Sequence, residues 1–180
     1  MGRRLLPLMT ALLLTGCAAG GTERFEAWQE RLCAAGEISF TAEITASSGE
    51  NVQNYTAAVR KTGDETAVTV TAPESISGVT FRSARTGRSV SFEGVTLSLP
   101  PTREGELAPS EAGELLLRAL TEGHVLDTGK AGDTLTARLD GPDGITLRLW
   151  RTAEDVPVYA EIGRGEAAEL ILRLSDWETR

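Results

Sequence analysis

Thr134-Leu135-Thr136-Ala137-Arg138-Leu139-Asp140-Gly141-Pro142-Asp143-Gly144-Ile145-Thr146-Leu147-Arg148-Leu149-Trp150 reads as two strands joined by a turn. Leu135, Ala137 and Leu139 occupy alternate positions. Ile145, Leu147 and Leu149 do the same after the break, with Trp150 on the other side. Successive side chains of a strand point to opposite faces, so each run has one apolar and one polar face. Gly141-Pro142-Asp143-Gly144 combines a fixed φ, a short side chain that bonds its own backbone, and glycines free to take positive φ, which is turn chemistry. Two such runs joined this closely pair antiparallel.

The same period extends outward in both directions. Toward the C-terminus, Ala153-Glu154-Asp155 turns, Val156, Val158, Ala160 and Ile162 alternate, and Gly163-Arg164-Gly165 turns again. Leu170, Leu172 and Leu174 form a last strand before Trp177. In the first half, Ile38, Phe40, Ala42 and Ile44 share a face ahead of the turn cluster Ser47 to Asn51. Tyr55, Ala57 and Val59 follow, then the turn Thr62-Gly63-Asp64, then Val68, Val70 and Ala72. Residues Gly78 to Arg85, Ser89 to Glu93 and Val95 to Leu99 give three more short strands, the last two joined by Glu93-Gly94. Strands rich in Thr, Val and Ser suit a sheet with one wet face. The pattern predicts a mainly β chain with some α (α+β), an antiparallel meander of ten to eleven strands.

Two stretches follow a helical period instead. Phe25, Trp28, Leu32 and Ala35 form one apolar stripe, with Thr22 placed to cap, Glu23 in the first turn and Gly36 at the end. After Pro100-Pro101 and a polar loop to Pro109, Ser110-Glu111 opens a second helix. Leu115, Leu116, Leu117, Ala119 and Leu120 overfill a single stripe, so this helix is expected to be largely buried or to flank an apolar cavity, and Gly123 closes it.

Ahead of the domain stands a basic start (Arg3, Arg4), an apolar run from Leu5 to Leu14, and Thr15-Gly16-Cys17. That order is a secretory signal peptide. Small residues before the cut and a cysteine directly after it resemble the lipobox of bacterial lipoproteins. The resemblance implies that Cys17 carries a diacylglyceryl group and becomes the new N-terminus. The competing reading is an ordinary signal or short anchor. The run is about half of the roughly 20 residues that span a bilayer. The expected layout is a lipoprotein signal peptide over 1–16, the lipidated Cys17 with a short tether over 17–21, and a single domain over 22–180. The implied location is extracytoplasmic, on the outer face of the cell membrane or at an outer membrane, with the lipid on Cys17 as the membrane contact.

The chain carries 18 Lys+Arg and 26 Asp+Glu, a net charge of −8. Loss of Arg3 and Arg4 with the signal makes the mature chain −10, which argues against nucleic acid and against electrostatic adhesion to anionic lipid. With Cys17 acylated, Cys33 has no partner for an internal disulfide and is expected to be a buried, inert thiol, the alternative being a pairing between molecules. His124, the single histidine, has no Gly-x-Ser-x-Gly element with it and reads as a loop or helix-end residue. One His and one thiol do not make a zinc site, and Asp140/Asp143 lack the spacing and terminal Glu of a calcium loop. The glycines are scattered among turns and form no phosphate loop. No catalytic residue, metal or cofactor is expected.

An N-terminal helix, a long antiparallel meander, a mid-chain helix and a closing meander resemble the LolA/LolB lipoprotein-carrier superfamily, whose lipid-anchored Gram-positive members include the germination lipoprotein GerS. Thr71-Ala72-Pro73-Glu74-Ser75-Ile76-Ser77-Gly78-Val79 resembles the turn before the family's central strands. Asp155-Val156-Pro157-Val158-Tyr159-Ala160-Glu161-Ile162 resembles one of its late strands. The likeness covers roughly Thr22 to Trp177. It implies an incomplete β-barrel: a curved sheet with two helices across its concave side, an apolar cavity for acyl chains, and Phe25, Trp28, Leu32, Leu116 and Leu120 as its lining. Alternation requires an apolar concave face, and either a filled or an open interior satisfies it. The first expectation is therefore an anchored binding protein for an acyl chain or a lipoprotein. The alternative is a lipoprotein scaffold for an envelope or sporulation protein partner. A cavity of several hundred Å³ would favour the first, and a filled interior with an exposed apolar patch or sheet edge the second.

Overall fold

The computed structural model describes residues 19–48, 51–100, 107–165 and 167–180. The signal stretch and Cys17 lie outside the described residues, as do Gly49-Glu50 of the turn cluster and residues 101–106 of the polar loop.

Among the described residues, eleven strands form one antiparallel sheet. They are β1 (Glu37–Ser48), β2 (Asn51–Thr62), β3 (Glu65–Ala72), β4 (Thr80–Ala84), β5 (Gly87–Phe92), β6 (Val95–Leu99), β7 (His124–Ala131), β8 (Thr134–Asp140), β9 (Thr146–Arg151), β10 (Pro157–Arg164) and β11 (Ala167–Thr179). Their order is β6-β5-β4-β3-β2-β1-β11-β10-β9-β8-β7, so the two halves of the chain meet at the β1–β11 pair and leave β6 and β7 as the edges. The sheet is curved and unclosed, the incomplete barrel expected.

Helices α1 (Ala19–Ala34) and α2 (Ala112–Glu122) pack on one face of this sheet. The opening hairpin pairs as its alternation requires, Leu139 opposite Leu147 and Ala137 opposite Leu149. Ile38, Phe40, Ala42, Ile44 and Ala46 of β1, Leu147 and Leu149 of β9, and Leu170, Leu172 and Leu174 of β11 are buried in a single cluster with the two helix stripes.

Three features differ from expectation. The first helix starts at Ala19, so Gly20 and Gly21, read as tether, are helical, and Thr22 lies within the helix rather than capping it. A Cβ on Gly21 would sit 2.6 Å from the Thr128 hydroxyl, so glycine lets this helix approach β7 without displacing that side chain. His124 opens β7, a strand that period-two reading missed. Its side chains are mostly exposed on both faces, so nothing forces apolar residues to alternate. Cys33 is exposed rather than buried. It directly follows the buried Leu32, and one residue further turns about 100° off the inward stripe; its Sγ points at the Thr121 carbonyl, 3.5 Å away.

Candidate functional site

The five residues expected to line a cavity do come together. Phe25, Trp28 and Leu32 descend from α1 and Leu116 and Leu120 from α2 into one buried cluster, none more than 7% exposed. They pack against sheet side chains as core. Among the described residues, two small recesses lie elsewhere. One is bordered by Arg148, Glu161 and Ala168, the other by Phe81, Arg88, Leu99 and Glu114. Each has an interior of about 10 Å³, room for one water.

The polar centre of this interior is Arg151, which the sequence reading passed over. It is 2% exposed, with its guanidinium carbon 4.5 Å from the Phe25 ring centroid and 4.7 Å from that of Trp28. Both α1 aromatics therefore rest their faces on one buried cation, an attraction strengthened by the loss of water. Arg151 Nη1 donates to Asp155 Oδ1 at 3.0 Å, while its Nε has no partner. Burial pulls the Arg151 guanidinium down to about 10, partly opposed by Asp155 and reinforced by Arg24 and Arg31.

Asp155 sits at the tip of the β9–β10 turn with φ 66°, a conformation that Asp tolerates better than most residues. Thr152 Oγ1 accepts from the Glu154 and Val156 amides and holds that turn. The second Asp155 oxygen faces Arg24 at 3.3 Å and Arg31 at 3.7 Å, one turn of α1 to either side of Trp28. Arg24 also donates to the Ala153 carbonyl. The turn thus pins α1 from outside while Arg151 holds its aromatic face from inside. The signal was present in the sequence: Ile145, Leu147, Leu149 and Arg151 share a period-two face, so an arginine occupies an inward position.

A second polar cluster marks the start of α2. Glu111, expected with Ser110 to open this helix, is buried and ion-paired with Arg88 of β5, while Glu114 accepts from Ser83 of β4 at 2.8 Å. These contacts set the start of α2 against β2 and β3. There Gly113 lies so close that an added Cβ would be 2.7 Å from Val59 Cγ2 and 3.3 Å from Val68 Cγ2.

Beyond α2 the apolar face continues with no described element packed over it. Val68, Phe81, Val90 and Leu97 stand opposite one another across β3, β4, β5 and β6. Exposure climbs along this row from 3% at Val68 to 61% at Leu97. In the neighbouring row Phe92 faces Val95, 43% and 63% exposed. Single exposed apolar residues are ordinary, but a contiguous group on one sheet face marks a contact surface.

Among the described residues no group of three or more His, Cys, Asp or Glu side chains could hold a metal, and no helix is long and apolar enough to cross a membrane. His124 is exposed at the start of β7.

No protein-family model matches the sequence, and no curated protein matches it. Solved structures do. A domain assigned to outer membrane lipoprotein sorting from Vibrio parahaemolyticus is 12% identical over 90% of this chain and 93% of its own, with a TM-score of 0.50. A DUF1329 family protein from Desulfovibrio piger is 7% identical over 89% and 92%, with a TM-score of 0.51. A chain from the complex of the CwlD amidase with the GerS lipoprotein of Clostridioides difficile is 16% identical over 96% and 100%, with a TM-score of 0.45. The first two support the fold class: the chain has a LolA-like fold, one unclosed curved antiparallel sheet with two helices packed on it.

Proposed function

We propose that this protein is a lipid-anchored, non-catalytic binding module of the bacterial cell envelope, held through Cys17, and that it docks an envelope protein on the apolar face of β4–β6. The observation that carries the reading is the distribution of apolar surface. Among the described residues the core is packed, and of the exposed large apolar side chains (Val52, Phe92, Val95, Leu97, Leu126 and Val156) Phe92, Val95 and Leu97 form a group on adjacent strands. An acyl chain or lipoprotein tail, the ligand first expected, needs a cavity of hundreds of Å³. To make one here, Phe25, Trp28, Leu32, Leu116 and Leu120 would have to leave their packing and Arg151 its rings. A docked protein needs no such opening.

A photoreactive residue replacing Phe92 in the full-length lipoprotein, expressed in its own bacterium, tests this. The expected result is one cross-linked protein of discrete mass at position 92. None should appear at Arg173, an exposed position between the inward Leu172 and Leu174. Val95→Lys in the same chain should abolish the adduct. Labelling by lipid alone, or equal labelling at 92 and 173, would contradict the proposal.

A further inference from the structure

We infer that two copies of this chain join along β6, antiparallel about a two-fold axis at Leu97, merging their sheets and their uncovered apolar faces. The inference begins with the contrast between the two sheet edges. Unpaired strand edges invite pairing, and proteins guard them with charges, bulges or a covering element. The β7 edge has all three. Its register shifts between Val125 and Asp127, it carries Asp127 and Lys130, and α1 runs beside it, with Thr22 near Thr128 and Gln29 bonded to the Gly123 carbonyl. The β6 edge, Val95-Thr96-Leu97-Ser98-Leu99, has no charge, no proline and no bulge in its pairing with β5, and Val95 through Ser98 are exposed.

The hairpin geometry fixes how β6 could be extended. Glu93 (φ 48°) and Gly94 (φ 83°) form the two-residue turn with positive φ at both centres. Phe92 and Val95 therefore close the hairpin as a hydrogen-bonded pair, and such pairs alternate along the ladder. Val95, Leu97 and Leu99 spend their backbone groups on β5, and those of Thr96 and Ser98 point outward. The Glu93-Gly94 turn bounds the free edge on one side, and Pro100, which lacks an amide hydrogen, bounds it on the other.

Antiparallel pairing of the whole edge with itself is centred on Leu97. Thr96 then exchanges hydrogen bonds with Ser98 of the second copy, and Leu97 meets its own equivalent in a close, non-hydrogen-bonded pair. A two-fold axis normal to the sheet keeps the apolar faces on the same side. The row Phe81–Val90–Leu97 runs on into its mirror sequence, and the surface offered to a partner doubles. The mature chains, each −10, meet along a strand that carries no charge.

Sedimentation equilibrium of residues 18–180, which contain every described residue, tests the inference. We expect a reversible monomer–dimer equilibrium, weakened about tenfold or more by Leu97→Lys, which sets like charges directly opposite. In a Cys33→Ser background, Leu97→Cys should oxidise rapidly to a covalent dimer. Thr96→Cys, whose neighbour across the axis is Ser98, should not. A chain that stays monomeric up to about 1 mM, or a dimer indifferent to Leu97→Lys with no link at position 97, would overturn the inference. Cross-linking of a different protein at position 92 by a monomer would remove the dimer and leave the docking proposal standing.

Discussion

Asp155→Asn isolates the electrostatic part of the α1 pin. Asn tolerates φ 66° about as well as Asp, so the change removes charge without adding the backbone strain that alanine would bring. Arg151 is 2% exposed and already held down to about 10 with Asp155 beside it, so its burial is only partly compensated in the native protein. Removing one partner of a buried pair costs ~3–5 kcal/mol, because the other charge is stranded. Here the amide oxygen still accepts from Arg151, and the Asp155 side chain keeps 13% of its surface in water, which reduces the loss to about 2–3 kcal/mol. For a chain of this length that lowers Tm by roughly 4–12 °C. Arg151→Met should behave differently. It fills the space between the rings with an apolar chain and leaves Asp155 to Arg24 and Arg31, so the expected change is within about 1 kcal/mol. The double variant should recover most of the Asp155→Asn loss. Urea unfolding followed by tryptophan fluorescence reads all three. Equal losses for Asp155→Asn and Arg151→Met, or no recovery in the double variant, would refute the buried-cation account.

Other consequences are as direct. Gly113→Ala drives a Cβ into Val59 and Val68 and should destabilise the domain by about 1–3 kcal/mol in the same urea titration; an unchanged midpoint would show that α2 does not sit as described. Leu120→Ala empties a fully buried site and should cost ~2–5 kcal/mol by thermal unfolding. The Arg60 guanidinium, 2.7 Å from Glu37, holds that carboxyl below its ordinary 4.5. The stability it contributes is therefore complete above pH 4.5 and is lost as pH falls through the lowered folded value. NMR titration should show the Glu37 midpoint moving up toward 4.5 in Arg60→Gln, and an unmoved midpoint would exclude the pairing.

The strands were legible wherever one face is buried. Leu135–Leu139 and Ile145–Leu149 pair as their alternation required, because a slip of one residue would expose the whole apolar set. β7 was not legible, since an edge strand wet on both faces has no period to read. The start of α1 was hidden for a related reason: Gly20 and Gly21 look like tether, and what places Gly21 in a helix against β7 is its approach to Thr128, a contact between residues over a hundred positions apart. The expected lining residues were correctly grouped, but alternation fixes only which face is apolar. Whether that face is filled depends on side-chain volumes brought together by tertiary structure. Arg151 could have been found by continuing the Ile145–Leu147–Leu149 count by one step. Its partner Asp155 could not, because a turn residue with positive φ carries no sequence mark of what its carboxylate faces.

The most direct test of the central claim, a packed interior with binding on the outer face, is organic extraction of purified residues 18–180 followed by mass spectrometry of the extract, with native mass alongside. The account predicts a bare protein mass, no stoichiometric acyl-bearing species and no uptake of a fluorescent fatty acid. One lipid per chain, lost on replacing Trp28 or Leu116, would contradict it and make the helices a lid over a ligand cavity.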